Sequence, residues 1–413
     1  MDLCNWRSLA HVWRYCSLLV MSNIILATHY PTPSNSTLIS HGWPSGSSSN
    51  STLATHDAAY PSPGGGAFSA ILNTSTGVMN ITGTGFGIKT TYAPTWLKSW
   101  YGVAHDTLAT NAAVGLDRYY TDNPEPRITT ATAGIGGNPL LLYHPIPDGA
   151  EEGYSLHPQK FIAPTTEVLM SHWMRVSCTL PWSGNFQIKN HRVGYGQSDA
   201  HSNYDSANPR VGLIKYHHGS DLSLPLISED QKPSYWATNS TGSSTGDLYN
   251  QPTNPTGVAY DTWIFIETYC KWNDVGSTNG IVENWINNQL HCSSVNRGTP
   301  YAVRLIAGDT IRNVQFIPGI QSINTGSPYI NPDFTVLLSR PFVDSGSQSR
   351  RQVFLGDEAT LSACKGKFML PATAWSDTAI TVNECRSIPT NFDYVYVTDD
   401  SGAVLASGTY TSV

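Results

Sequence analysis

Charge is what this chain has least of. Only 13% of its 413 residues are Asp, Glu, Lys or Arg, and the balance is acidic, with a formal net charge of −7. No basic footprint follows from that balance, which argues against nucleic acid as a partner. Helical periodicity is almost missing as well. Apolar residues come instead in short alternating runs, the signature of half-buried strands. None of the cysteines (Cys4, Cys16, Cys178, Cys270, Cys292, Cys364 and Cys385) stands in a Cys-x-x-Cys pair, which argues against a zinc site. The apolar run near the start, residues 16–27, is too short for a stable membrane span.

What the chain has in excess is Ser, Thr, Asn and Gly, together with 12 Trp and 21 Tyr. A surface of hydroxyls and amides suits a secreted, cell-surface or virion-type β protein. Aromatic rings in that number fill cores, and they also provide faces on which a sugar ring can stack.

Residues 1–28 read as a signal peptide, with Arg7 and Arg14 ahead of an apolar run interrupted by Ser22-Asn23. Met21 is an alternative start. Residues 29–77 are rich in Ser, Thr, Pro and Gly, as an arm or linker would be. Sequons at Asn35, Asn50, Asn73, Asn80 and Asn239 matter only in a eukaryotic secretory pathway. Residues 78–89 form a strand running into Gly83-Thr84-Gly85-Phe86-Gly87. No helix pattern follows, so a dinucleotide site is not indicated.

The clearest stretch is residues 261–290. Trp263, Phe265, Glu267, Tyr269 and Lys271 alternate with Ile264, Ile266, Thr268, Cys270 and Trp272. Residues 273–280 carry turn chemistry, Ile281 to Ile286 form a second strand, and Asn287-Asn288 marks another tight turn before a third strand near Leu290. Further strands are expected over residues 168–176, 186–195, 211–217, 301–307 and 310–317. Short strands at this spacing predict a β-sandwich.

The arrangement of Trp263, Glu267, the Asn279-Gly280 turn, Trp285 and the Asn-Asn turn resembles the concanavalin-like (laminin-G-like) jelly roll, in the version found in alginate-lyase-like and glucuronan-lyase-like polysaccharide lyases. The resemblance covers residues 168–342 and rests on strand order and this hairpin. Residues 350–413 form a different unit. Its Trp-Ser-Asp-Thr-x-Ile-x-Val pattern (Trp375 to Val382) and Tyr-Val-x-Asp-x-x-Gly pattern (ending at Gly402) look like the last strands of an immunoglobulin-like IPT/TIG domain. The Gly-x-Gly-Phe-Gly turn resembles that domain's opening. The implied organisation is an arm over residues 29–77, a jelly roll over 78–342 and an immunoglobulin-like unit over 343–413. Residues 78–90 are candidates for the latter, which would make the jelly roll an insertion. Cys364 and Cys385 are expected to pair, Cys270 and Cys292 are either a pair or buried thiols, and Cys178 is left single.

Chemistry is expected on residues 185–196. Simple alternation puts Gln187, Lys189, His191, Val193 and Tyr195 on one face, and Arg192 on the other. A β-elimination lyase needs a cation to neutralise a uronate carboxylate, a base for the C5 proton and an acid for the leaving oxygen. Lys189 or Arg192 suit the first role, and His191, Tyr195 or Tyr216 the others. Lys215 and His217 form a second cluster. No cofactor is required, and no metal ligand set stands out. Calcium is an alternative role for Asp399-Asp400 and for Asp199, His201 and Asp205, although turns use Asp in the same way. Glu151-Glu152 and Glu267 with Glu283 invite a two-carboxylate glycosidase reading, against an ordinary cross-strand placement. The expected partner is a polysaccharide, engaged by binding or cleaved by β-elimination. A structural surface, appendage or virion protein, self-associating through its arm, is the competing class.

Overall fold

The computed structural model describes residues 68–92, 127–128, 134–135, 140–141, 159–177, 186–194, 210–217, 223–224, 226–231, 258–259, 261–275, 277, 279–293, 308, 310–322, 335–383, 385 and 388–413. All of them lie in the unit Ala54–Val413. The expected signal peptide, Tyr195, and strand 301–307 fall outside the described residues.

Strands β1 (Ser69–Asn73) and β2 (Val78–Thr82) come first, then the short β3 (Arg127–Ile128) and β4 (Leu140–Leu141). Next are β5 (Gln159–Thr165), β6 (Glu167–Ser177), β7 (Phe186–Gly194), β8 (Arg210–His217), β9 (Ser223–Leu224), β10 (Leu226–Gln231) and β11 (Val258–Ala259). The hairpin region gives β12 (Ile264–Lys271), β13 (Ile281–Ile286) and β14 (Gln289–Ser293), followed by β15 (Ile311–Ser322) and β16 (Thr335–Ser345). The C-terminal strands are β17 (Val353–Gly356), β18 (Phe368–Leu370), β19 (Ala372–Trp375), β20 (Ala379–Val382), β21 (Tyr394–Thr398) and β22 (Val404–Ser412). No α-helix occurs among the described residues, and none of them forms a helix long and apolar enough to cross a membrane.

Two antiparallel sheets make the main body. One has the order β14-β13-β12-β6-β16-β4-β3, the other β10-β8-β7-β15-β5. The chain passes repeatedly between them: β5 in the smaller sheet, β6 in the larger, β7 and β8 in the smaller, β12 to β14 in the larger, then β15 and β16 in turn. This is the connectivity of a jelly-roll sandwich. Asn287 and Asn288 both take positive φ, 49° and 62°, the two-residue turn that the Asn-Asn pair promises. Asn287 adds a bond of its own, its Oδ1 accepting the Phe265 N–H at 3.0 Å.

Strand β12 is buried along nearly its whole length because both of its faces are covered. The even-numbered positions share a side with His172, whose ring meets Phe316 of the smaller sheet. The odd-numbered ones, with Leu169, Trp173 and Trp285, join a single apolar cluster with Phe354, Leu361 and Phe368 of the C-terminal unit. The Trp173 indole N–H donates to the Lys367 carbonyl at 3.1 Å. Gly366 lets the chain pass over Trp173, since a Cβ there would strike the indole and Phe265.

The C-terminal unit is one eight-stranded sheet, β18-β17-β21-β22-β1-β2-β20-β19. Its strands come from both ends of the described chain, because β2 pairs with β20 and β1 pairs in parallel with the end of β22. The jelly roll is thus inserted between β2 and β17, and β1 begins within the stretch expected to be an arm. Strands β18 and β19 lie at opposite edges of the sheet yet are separated only by Pro371, so the sheet is rolled. Gly85 and Gly87, at φ 79° and 68°, supply the left-handed conformations that the Gly-x-Gly-Phe-Gly turn requires. Just beyond that turn, Lys89 is buried against Asp344 at 2.6 Å and also donates to the Gln348 and Arg351 carbonyls. This ion pair fastens the segment after β2 to the end of β16.

Two expectations are corrected. Residues 375–382 do not form one strand. Ser376 Oγ accepts the N–H groups of Thr378 and Ala379, so the Ser-Asp-Thr stretch turns the chain and makes β19 and β20 a hairpin. The expected Cys364–Cys385 disulfide is also absent, both being buried thiols, and of the two alternatives left open for Cys270 the buried thiol is the one found. Strand β13 lies between the strands of Cys270 and Cys292, which separates them by two strand spacings of about 4.8 Å each, too far for a bridge. The Cys364 thiol donates instead to the carbonyls of Thr360 and Glu358.

Candidate functional site

Strand β7 is central in the smaller sheet, between β8 and β15, and both of its ladders shift register between Lys189 and Arg192. On the β8 side, Lys189 lies opposite Ile214 and Arg192 opposite Gly212. Ile214 and Gly212 are two residues apart and so belong to one face, which places backbone positions 189 and 192 on that same face. Plain alternation would have separated them. A β-bulge re-aims positions in this way by adding one residue to the strand. The same face takes position 187 opposite Tyr216, and position 192 opposite Gln315 of β15. Position 217 pairs with Phe186 and belongs to the other face. The expectation that Lys189 and His191 share a face, with Arg192 opposed, is therefore corrected.

Gln315 and Asn313 lie on the face that the bulge creates, each 1% exposed. Among the described residues, Gln315 Oε1 has no hydrogen-bond partner. A buried amide oxygen in that condition costs free energy unless a donor reaches it.

His191 points the other way. It is 1% exposed, between the sheets, with Phe316 and His172 around its ring. Its Nε2 lies 2.7 Å from His172 Nδ1 and its Nδ1 lies 2.7 Å from Thr268 Oγ1. The Thr268 hydroxyl donates to Asn284 Oδ1 at 2.8 Å. Proton bookkeeping fixes the tautomers. Thr268 has spent its proton on Asn284, so His191 Nδ1–H donates to Thr268, leaving His191 Nε2 to accept from His172 Nδ1–H. Both imidazoles are neutral. Burial lowers the His172 pKa to about 3, and burial together with His172 holds His191 well below its ordinary value. His191 reaches no substrate in solution; it ties the two sheets together. Sequence alternation pointed to His191, whereas nothing in the local sequence marked His172 or Gln315.

Glu267 and Glu283 do come together, on the face of the larger sheet that meets the C-terminal unit. Their pairing partners are Trp285 and Tyr269 respectively. Each carboxylate already has a cation: Lys367 Nζ is 2.7 Å from Glu267, and Arg350 is 3.3 Å from Glu283. The Arg350 guanidinium also lies over the Tyr269 and Trp285 rings. Burial raises the Glu283 pKa, with Arg350 opposing. Burial likewise raises Glu167, which accepts the Tyr269 hydroxyl at 2.8 Å. Asp399 Oδ1 is committed to its own turn, accepting from Ser401 and Ala403, and Asp400 pairs with Arg351. Among the described residues, no three His, Cys, Asp or Glu side chains gather where a metal could be held. Glu151, Glu152, Asp199, His201 and Asp205 lie outside the described residues.

The site thus sits on a β-sandwich. No family model matches the chain, and no curated protein matches it in sequence. Solved structures similar to it include an alginate lyase, Aly36B, at 14% identity and TM-score 0.42, covering 59% of this chain and 93% of that one. A PL-14 alginate lyase from Aplysia kurodai is similar at 12% identity and TM-score 0.44, with 63% and 100% covered. The carbohydrate recognition domain of Emp47p is similar at 10% identity and TM-score 0.33, with 63% and 100% covered.

Proposed function

We propose that this chain is a secreted or surface-displayed protein that binds an acidic polysaccharide along the outer face of its five-stranded sheet. The observation that carries the reading is the double register shift in β7, which brings positions Lys189 and Arg192 onto one face with Gln187, Tyr216 and the buried Gln315. Two cationic residues three positions apart on such a face suit the carboxylates of a uronic-acid polymer, and amides suit its hydroxyls. Binding is preferred to cleavage because the histidine that would act as base is turned into the core. The rolled C-terminal sheet, assembled from both ends of the chain, supports the immunoglobulin-like reading of that unit.

The test is gel retardation of the full chain in alginate, glucuronan and a neutral glucan, with ultraviolet absorbance followed in parallel for the unsaturated product of β-elimination. Retardation by the polyanions that is lost in Lys189→Ala/Arg192→Ala, with no absorbance rise, is the expected result. A rise abolished by Tyr216→Phe would replace binding by a lyase reading. Absence of both retardation and rise would leave the structural class in first place.

A further inference from the structure

We propose that Lys89 and Asp344 condense to an isopeptide bond, a covalent link across the neck of the inserted jelly roll. Both side chains are 1% exposed, and Lys89 Nζ lies 2.6 Å from Asp344 Oδ2. The two residues are 255 positions apart in the chain. Lys89 follows β2 and Asp344 closes β16, so the link makes the whole insertion one covalent ring. Neither residue lies on the sheet face proposed above to bind polysaccharide.

The surroundings of the pair suit its neutral form. Lys89 Nζ donates to the Gln348 and Arg351 carbonyls at 3.0 and 2.5 Å. An uncharged amine has two N–H groups. Those carbonyls take both, and the lone pair is left facing Asp344. Burial lowers the pKa of Lys89 and raises that of Asp344, with their mutual attraction opposing in each case. A proton passed from Nζ to Oδ2 removes both charges from a space where each is costly. A lysine without that proton is a nucleophile.

Asp344 is held as the electrophile. The Ser345 N–H donates to its Oδ1 at 2.8 Å, and Gln352 Nε2 donates to its Oδ2 at 2.6 Å. Gln352 is itself anchored by the Ser349 carbonyl. As the Nζ lone pair attacks Cγ, the C=O electron pair moves onto Oδ1, where the Ser345 N–H stabilises it. One N–H proton then passes to the Oδ2 hydroxyl. The Cγ–Oδ2 bond breaks, water leaves with that oxygen, and the C=O bond re-forms. An amine and a carboxylic acid become an amide and one water, with no co-reactant. Contact between the groups in the fold removes the entropic cost of bringing them together.

Lys367 with Glu267 supplies the contrast. They are 2.7 Å apart, but Lys367 is 15% exposed, and Glu267 Oε2 has no partner among the described residues. That amine keeps contact with water, and no donor awaits an oxyanion, so this pair should stay ionic. The Lys89–Asp344 link forms only after folding has built its site. Newly folded chain therefore holds the ion pair alone, and its stability is that of an ion pair.

Mass spectrometry of the full chain, reduced and denatured after a period in the folded state, is the test. The wild type is expected one water lighter than its sequence, in a fraction that grows with time after refolding. Peptide mapping should find a branched peptide joining Lys89 to Asp344. Lys89→Arg should keep its sequence mass. Lys89→Met/Asp344→Leu replaces the pair whole by apolar groups and serves as the folded control. After limited proteolysis between residues 89 and 344, the wild type should stay one species on a reducing, denaturing gel, and the double variant should separate into fragments. A succinimide formed by Asp344 and Ser345 loses the same water, but it does so without Lys89. The proposal is overturned by a wild type that keeps its full sequence mass, by a water loss that survives Lys89→Arg, or by a branch that joins Lys367 to Glu267 instead.

Discussion

Acid should unlock the sandwich through its histidine pair. In the folded chain His172 has a pKa near 3, against 6.5 in an unfolded one; His191 is lowered in the same direction. Between those limits the unfolded state binds protons that the folded state refuses. Stability therefore rises with pH across the window, is complete above about 6.5, and is lost as pH falls from there toward 3. From pH 7 to pH 5, His172 at that pKa costs about 2 kcal/mol of stability. His191 adds to that loss in the same direction, against the roughly 5–15 kcal/mol that holds a domain folded. Other groups act in the opposite sense. Glu167, Glu283 and Asp344 have raised pKa values, so they favour folding as pH falls. The comparison must therefore be a difference. Urea unfolding followed by tryptophan fluorescence at pH 7 and pH 5, for the wild type and for His172→Met/His191→Leu, isolates the pair. The wild type should lose at least about 2 kcal/mol more than the variant between the two pH values. Parallel losses within about 1 kcal/mol would mean that both imidazoles can be protonated in the fold, and the tautomer chain derived above would be wrong.

Lys89→Met leaves Asp344 buried and should cost about 3–5 kcal/mol by chemical denaturation. Adding Asp344→Leu should restore much of that, since an ion pair replaced whole by apolar groups is close to neutral. Gly366→Ala drives a methyl group into Trp173 and should cost about 1–3 kcal/mol, read as a lower urea midpoint. Asn287→Ala loses both its tolerance of positive φ and its bond to the Phe265 N–H, for about 1–2 kcal/mol; Asn287→Gly should recover the backbone part. If Lys189 and Arg192 hold a polyanion from the sheet surface, raising salt from 50 to 500 mM should weaken retardation severalfold.

The hairpin of β12 to β14 was legible because its signals are local. Alternation sets the strands, and an Asn-Asn pair can take the positive φ that a two-residue turn needs. The all-β class and the sandwich were legible for the same reason, from short strands and missing helical periodicity. Which face each residue occupies could not be read in the same way. Alternation assumes an unbroken strand, and one bulge in β7 reverses every assignment beyond it: Arg192 joins Lys189, and His191 turns inward to meet His172, a partner on another sheet. Burial on both faces of β12 was also hidden, because a strand pattern cannot say how many layers lie above it. The expected Cys364–Cys385 pairing failed on the same ground, since spacing along the chain does not say which segments end side by side. Sequence by itself determined the elements and their turns, which depend on neighbours in the chain. Only the tertiary structure decided faces and partners, because these depend on register and packing between segments that the chain order keeps far apart.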